Sequence, residues 1–153
     1  MGSYDRSDWH SGGNYPKDLP PENGGTHIGM FLAWCILNNL QGEFHDKESA
    51  DSLRKVRERS MTGRNFLSKE CDEKFWEEDL NDEGNRFAHA YYGNTPEDEG
   101  QNYFSDYDRL FSKGLPSVYH LADTWENYDL IAPVITLRFQ AWKSTGSVLF
   151  KKD

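Results

Sequence analysis

Ten consecutive positions, Ile28 to Leu37, carry no charge and, apart from Gly29, only apolar side chains. As a helix, such a stretch has no face to offer water, so it belongs at the centre of a fold. It is too short for a membrane span, which needs ~20 apolar residues. Thr26 is expected to cap its start through the hydroxyl. Gly42 is expected just past its end, near Gln41. The rest of the core must come largely from aromatics. Apolar residues are only 36% of the 153-residue chain, below the usual ~45–50%. Five Trp, eight Tyr and nine Phe compensate, since each buries roughly 150–250 Å². That content argues for one globular domain, 1–153, rather than a disordered chain.

Residues 1–25 hold no period and are punctuated by Gly12-Gly13, Pro16, Pro20-Pro21 and Gly24-Gly25. Tyr4, Trp9, Tyr15 and Leu19 are interspersed, so this stretch reads as an extended arm pinned by its aromatics onto a helical body, 26–146. Further helices are expected over about 46–59, 64–80, from Asn81-Asp82 to Gly93, over 102–112, and from Thr124 onward. Pro133 is expected to kink or break the last one. Gly146 ends it, and Val148 to Phe150 reads as a short strand or tail. The expectation is a mostly α domain of about seven helices around a central apolar one, with little or no β.

Charge is unevenly placed. The net charge is -9, yet 70–108 holds thirteen acids against two bases, Lys74 and Arg86. General nucleic-acid binding needs the opposite sign, and anionic membrane surfaces are disfavoured for the same reason. Two readings remain for the acidic quarter: a solvated face, or a docking surface for a basic partner. On the second, the contact residues are Asp72, Glu73, Glu77, Glu78, Asp82 and Glu83, with Glu97, Asp98 and Glu99 from a loop. Trp76 and Tyr103 are the expected exposed aromatic anchors. No twelve-residue calcium loop matches. Arg54, Lys55, Arg57 and Arg59 give the helix over 46–59 a basic face, with Arg64 beyond.

Cys35 and Cys71 give no disulfide framework and no metal spacing, and Cys35 falls in the apolar run. With no basic stretch and apolar run at the start, a thiol-reduced, cytoplasmic setting is expected. No nucleophile elbow or phosphate loop occurs, and no cofactor is implied. His10 and His27 are the candidates for a metal-binding or catalytic role with nearby carboxylates. The bland reading of His27, in the first turn of the central helix, is a satisfied structural histidine. His45, His89 and His120 look isolated.

Several stretches stand together: Tyr4-Asp5, Trp9-His10 with Gly12-Gly13, Gly25-Thr26-His27-Ile28-Gly29-Met30-Phe31-Leu32-Ala33-Trp34, Asp72-Glu73-Lys74-Phe75 and Asp123-Thr124-Trp125-Glu126-Asn127-Tyr128. The set resembles a bacterial family of small, uncharacterised single-domain proteins that look like immunity proteins of polymorphic or type VI secretion toxins. The resemblance implies a non-enzymatic antitoxin that binds a cognate toxin, basic and nuclease-like, and occludes its active site. It implies no catalytic residues. The alternative is a small metal-binding protein or enzyme using His10 and His27.

Overall fold

In the computed structural model, which describes residues 3–92 and 100–150, helices carry the fold, and one pair of short strands ties its start to its middle. In chain order the elements are β1 (Ser3–Arg6), α1 (Ser7–Ser11), α2 (Thr26–Leu37), α3 (Glu43–Glu48), α4 (Ala50–Arg57), α5 (Gly63–Cys71), β2 (Lys74–Trp76), α6 (Asp82–Tyr91), α7 (Tyr103–Phe111) and α8 (Trp125–Thr145). Short 3-10 turns cover Pro21–Gly25, Glu77–Asp79 and Val118–His120. The class is mostly α, with eight α-helices among the described residues.

α2 is the axis. Thr26 through Ile36 are all buried. Phe31 sits within ring contact of Phe75, Phe87, Tyr91, Tyr92 and Tyr103. Trp34 packs on Phe87 and Phe139, and its indole N–H donates to Thr136 Oγ1 at 3.0 Å. The aromatics do build the core that the composition requires. α5 crosses α2 with backbone against backbone. A Cβ on Gly63 would lie 1.8 Å from the Gly29 carbonyl oxygen, and one on Gly29 would lie 2.2 Å from the Arg64 nitrogen.

Several expected boundaries are redrawn. Thr26 is not the cap of α2: the 3-10 turn Pro21–Gly25 runs straight into the helix, and the Thr26 N–H bonds back to Asn23 O. The helix stops at Leu37. Asn39 turns left-handed (φ 59), and the Leu40 N–H returns to Cys35 O at 2.8 Å. Gly42 serves a different need, because a Cβ there would meet the Glu78 carbonyl oxygen at 2.2 Å. The stretch 46–59 is two helices broken at Ser49, and 64–80 is not one helix. α5 ends where Asp72 and Glu73 both take positive φ, and the chain then extends into β2. Side-chain caps do occur at Asn81, Asn102 and Thr124, and Gly146 (φ 80) closes α8. Pro133 lies inside a continuous α8. Val148 to Phe150 form no strand.

The first 25 residues are not simply an extended arm. β1 pairs antiparallel with β2, and α1 packs on the turn Pro21–Gly25. Tyr4 packs on Phe75 and donates to Asn85 Oδ1 at 2.6 Å. Trp9 is no anchor: it is 58% exposed.

A buried ion pair holds the far end. Arg138 donates to both oxygens of Asp106 at 2.8 and 2.9 Å, and to Gln101 Oε1 and Val148 O. This ties α8 to α7 and anchors the tail.

Candidate functional site

Asp5, on β1, points inward, and two histidines meet it. His10, from α1, donates Nε2–H to Asp5 Oδ1 at 2.7 Å. His27, from the first turn of α2, donates Nε2–H to Oδ2 at 3.1 Å. The Tyr92 hydroxyl donates to Oδ2 at 2.5 Å, and the Arg6 N–H donates to Oδ1 at 2.9 Å. His10 Nδ1 accepts from the Tyr119 hydroxyl at 2.8 Å. One carboxylate thus gathers β1, α1, α2, the end of α6 and the Val118–His120 turn. Burial pushes the Asp5 carboxyl up, but the bonds from His10 and His27 outweigh it and hold it well below the usual carboxylate range. Burial holds His27 below its ordinary value, against the pull of Asp5. Burial, and then Asp5, raises the hydroxyls of Tyr92 and Tyr119, so both stay protonated donors. An Asp5 oxygen and one ring nitrogen each of His10 and His27 also lie within 4.8 Å of one another, close enough to hold a metal ion.

A second cluster joins α3, the end of α5 and the Glu77–Asp79 turn, and no local sequence pattern announces it. His45, far from isolated, is fully buried. Its Nε2 lies 2.7 Å from Asp79 Oδ1, in the Glu77–Asp79 turn, and 3.8 Å from Cys71 Sγ. Cys71 Sγ is 3.5 Å from the same Asp79 oxygen. His45 Nδ1 faces Ser49 Oγ at 3.0 Å; Ser49 and Ser52 both donate to the Glu70 carboxylate. Asp79 Oδ2 accepts the Trp76 N–H at 2.7 Å. Burial, reinforced by Asp79, pushes the Cys71 thiol up, and burial does the same to Cys35. Neither is an activated nucleophile.

The acidic residues named from sequence divide into several groups. Asp72, Glu78 and Asp82 are exposed, and Glu77 is half-buried beside Trp76. Glu78 and Asp82 have no ion pair among the described residues, whereas Glu83 pairs with Lys143 at 2.7 Å. Glu73 is taken out of the surface: its carboxylate accepts from Ser7 at 2.6 Å and from Ser68. Tyr103 is not an exposed anchor. It is fully buried, and its hydroxyl donates to the His27 carbonyl at 2.6 Å. Glu97, Asp98 and Glu99 lie outside the described residues. The basic face is largely neutralised locally: Arg54 and Lys55 pair with Asp51, Arg54 also with Glu58, and Arg59 with Asp129.

Cavities do not favour a buried substrate. One of about 150 Å³ lies between α1, Pro21, Glu22 and Glu73, small against the ~300–1,000 Å³ of ordinary ligand pockets. A wider, shallow groove of about 500 Å³ runs along α8 past Pro133 and Leu137.

Together these features define a mostly α domain whose chemically capable side chains are turned inward. Residues 3–121 match the family described as Domain of unknown function (DUF7832), and the chain belongs to it. No curated protein and no solved structure matches the chain. Both histidine clusters fall within the matched segment. No helix among the described residues is long and apolar enough to cross a membrane.

Proposed function

We propose that the chain is an immunity protein that binds a cognate toxin domain and occludes its active site without chemistry of its own. The observation that carries this reading is a division of labour among side chains. Asp5, His10 and His27 meet in one hydrogen-bonded network, both thiols are buried, and Asp72, Glu78 and Asp82 are exposed while Glu77 is half-buried next to the half-buried Trp76. Asp72 lies 3.5 Å from the Lys74 ammonium and Glu77 3.6 Å from His89, whereas Glu78 and Asp82 have no ion pair among the described residues; unpaired surface acids steer a basic partner and fix its orientation. A half-buried tryptophan among them has the character of a contact hot spot. The resemblance to immunity proteins supplies the kind of partner, a basic, nuclease-like toxin domain.

The test is capture of the partner from native cells with the tagged chain, followed by co-expression with the toxin domain so recovered. The wild-type chain is expected to restore growth and to form a 1:1 complex. Glu77→Lys/Glu78→Lys, confirmed folded by circular dichroism, is expected to lose at least tenfold in affinity. Unchanged affinity and rescue in that variant would remove the acidic strip from the interface; no rescue by wild type would remove the immunity reading itself.

A further inference from the structure

The two histidine clusters differ in where their protons can go. Around Asp5 the two rings meet a single carboxylate, and the Tyr119 hydroxyl faces His10 Nδ1. Around His45 a serine and two carboxylates converge. Glu70 is a carboxylate and only accepts. Ser49 has one hydroxyl proton, and it goes to Glu70 Oε2 at 3.0 Å. His45 Nδ1 must therefore donate its own proton to Ser49 Oγ. Nε2 points at the Asp79 carboxylate from 2.7 Å. Only a proton or a metal cation can sit between them. Among the described residues no lysine or arginine pairs with Asp79 or Glu70.

From this we infer that His45, Cys71 and Asp79 form a zinc site, held through His45 Nε2, Cys71 Sγ and an Asp79 oxygen. The three ligand atoms all lie within 4.8 Å of one another. Around a tetrahedral zinc, ligand atoms stand about 3.4–3.6 Å apart, given Zn–S near ~2.3 Å and Zn–N or Zn–O near ~2.0–2.2 Å. The Sγ···Oδ1 and Sγ···Nε2 separations are 3.5 and 3.8 Å. Only the Nε2···Oδ1 edge, at 2.7 Å, must widen, by about 0.7 Å. The surroundings suit a metal-bound histidine: Nδ1–H is held by Ser49, which is held by Glu70, and this chain fixes both tautomer and ring orientation. Asp79 is fixed in turn by the Trp76 N–H. A thiolate, an imidazole and a carboxylate together favour zinc over calcium or magnesium. On binding, the Cys71 thiol releases its proton to solvent as the Zn–S bond forms, and any proton on Nε2 leaves likewise. The site joins α3, the end of α5 and the Glu77–Asp79 turn, so the metal would clamp the base of the acidic strip. The inference does not depend on the immunity reading.

The experiment refolds the full chain with Co²⁺ and reads its absorption. The expected result is one cobalt per chain with a thiolate-to-cobalt charge-transfer band and strong tetrahedral d–d bands. Cys71→Ser is expected to lose the charge-transfer band, while Cys35→Ser and His10→Gln keep it. A band that survives Cys71→Ser, or that is lost in Cys35→Ser, overturns the assignment. If Cys71→Ser does not fold, wild-type protein refolded with Zn²⁺ and dialysed decides. One zinc per chain, released as an organomercurial titrates the thiols, supports the site; no stoichiometric zinc overturns it.

Discussion

Asp5 collects four donors, and two of them come from groups whose charge depends on pH. The sign of the dependence follows from the folded state. His27 is held below its ordinary value, so as pH falls below about 6.5 the unfolded chain takes up a proton that the folded chain resists, and stability drops. Asp5 is held low; its contribution persists to lower pH and is lost as pH falls below about 4, where the unfolded carboxyl protonates first. Both act in the same direction, and acidification loosens the docking of β1 and α1. His27→Gln keeps a side-chain N–H aimed at Asp5 but cannot titrate. We expect chemical denaturation at pH 7 and pH 5 to show a smaller loss of stability in His27→Gln than in wild type. An equal loss in both would mean that other histidines carry the dependence. At this scale the sequence held part of the answer. Asp5 and His10 lie five residues apart in stretches that stand out on inspection, and His27 opens the central helix. Tyr92 and Tyr119 lie 87 and 114 positions beyond Asp5, and no local pattern announces a partner across such a distance.

Among elements, the α2–α5 crossing is the most demanding contact. Gly63 approaches the Gly29 carbonyl so closely that an added Cβ would lie 1.8 Å from it, with backbone and not a flexible side chain in the way. Gly63→Ala must therefore push α5 off α2 and open the Phe66 and Leu67 side of the core. The expected cost is about 3 kcal/mol or more, typical of a core forced apart. For a chain of this length that is a fall in melting temperature of roughly 10 °C, readable by thermal circular dichroism. A fall of only a degree or two would show that the crossing relaxes without loss. Legibility differs sharply from element to element. α2 is readable because an all-apolar run allows one place in a fold. The caps at Asn81, Asn102 and Thr124 are local hydrogen-bond chemistry, and the αL end at Gly146 is local backbone chemistry. The end of α5 was not readable: Asp72 and Glu73 adopt positive φ although neither is glycine, and what holds them is tertiary. Glu73 is fastened to Ser7 and Ser68, and its carbonyl accepts the Ser7 N–H at 3.0 Å. His45 met Asp79 the same way, through a chain reversal that helix periodicity does not encode.

Across the whole molecule, charge separates what is sealed from what is offered. Arg54 and Lys55 of α4 are spent on Asp51 and Glu58, and Arg59 just past its end on Asp129, whereas Glu78 and Asp82 face solvent without an ion pair among the described residues. A surface of that kind acts on association more than on the lifetime of a complex, because its field reaches about a Debye length, ~8–10 Å at physiological salt. For the proposed toxin complex this gives a distinct kinetic signature. Raising salt from 50 to 500 mM is expected to slow wild-type association by about tenfold or more while changing dissociation little. In Glu77→Lys/Glu78→Lys, association at low salt should already be slow, and its salt dependence should be nearly flat or reversed. Stopped-flow or surface-binding kinetics across that range separates the two contributions. If the double variant instead dissociates faster with an unchanged association rate, then Glu77 and Glu78 make close contacts in the complex and do not steer it, and the steering field must come from acids elsewhere on the surface.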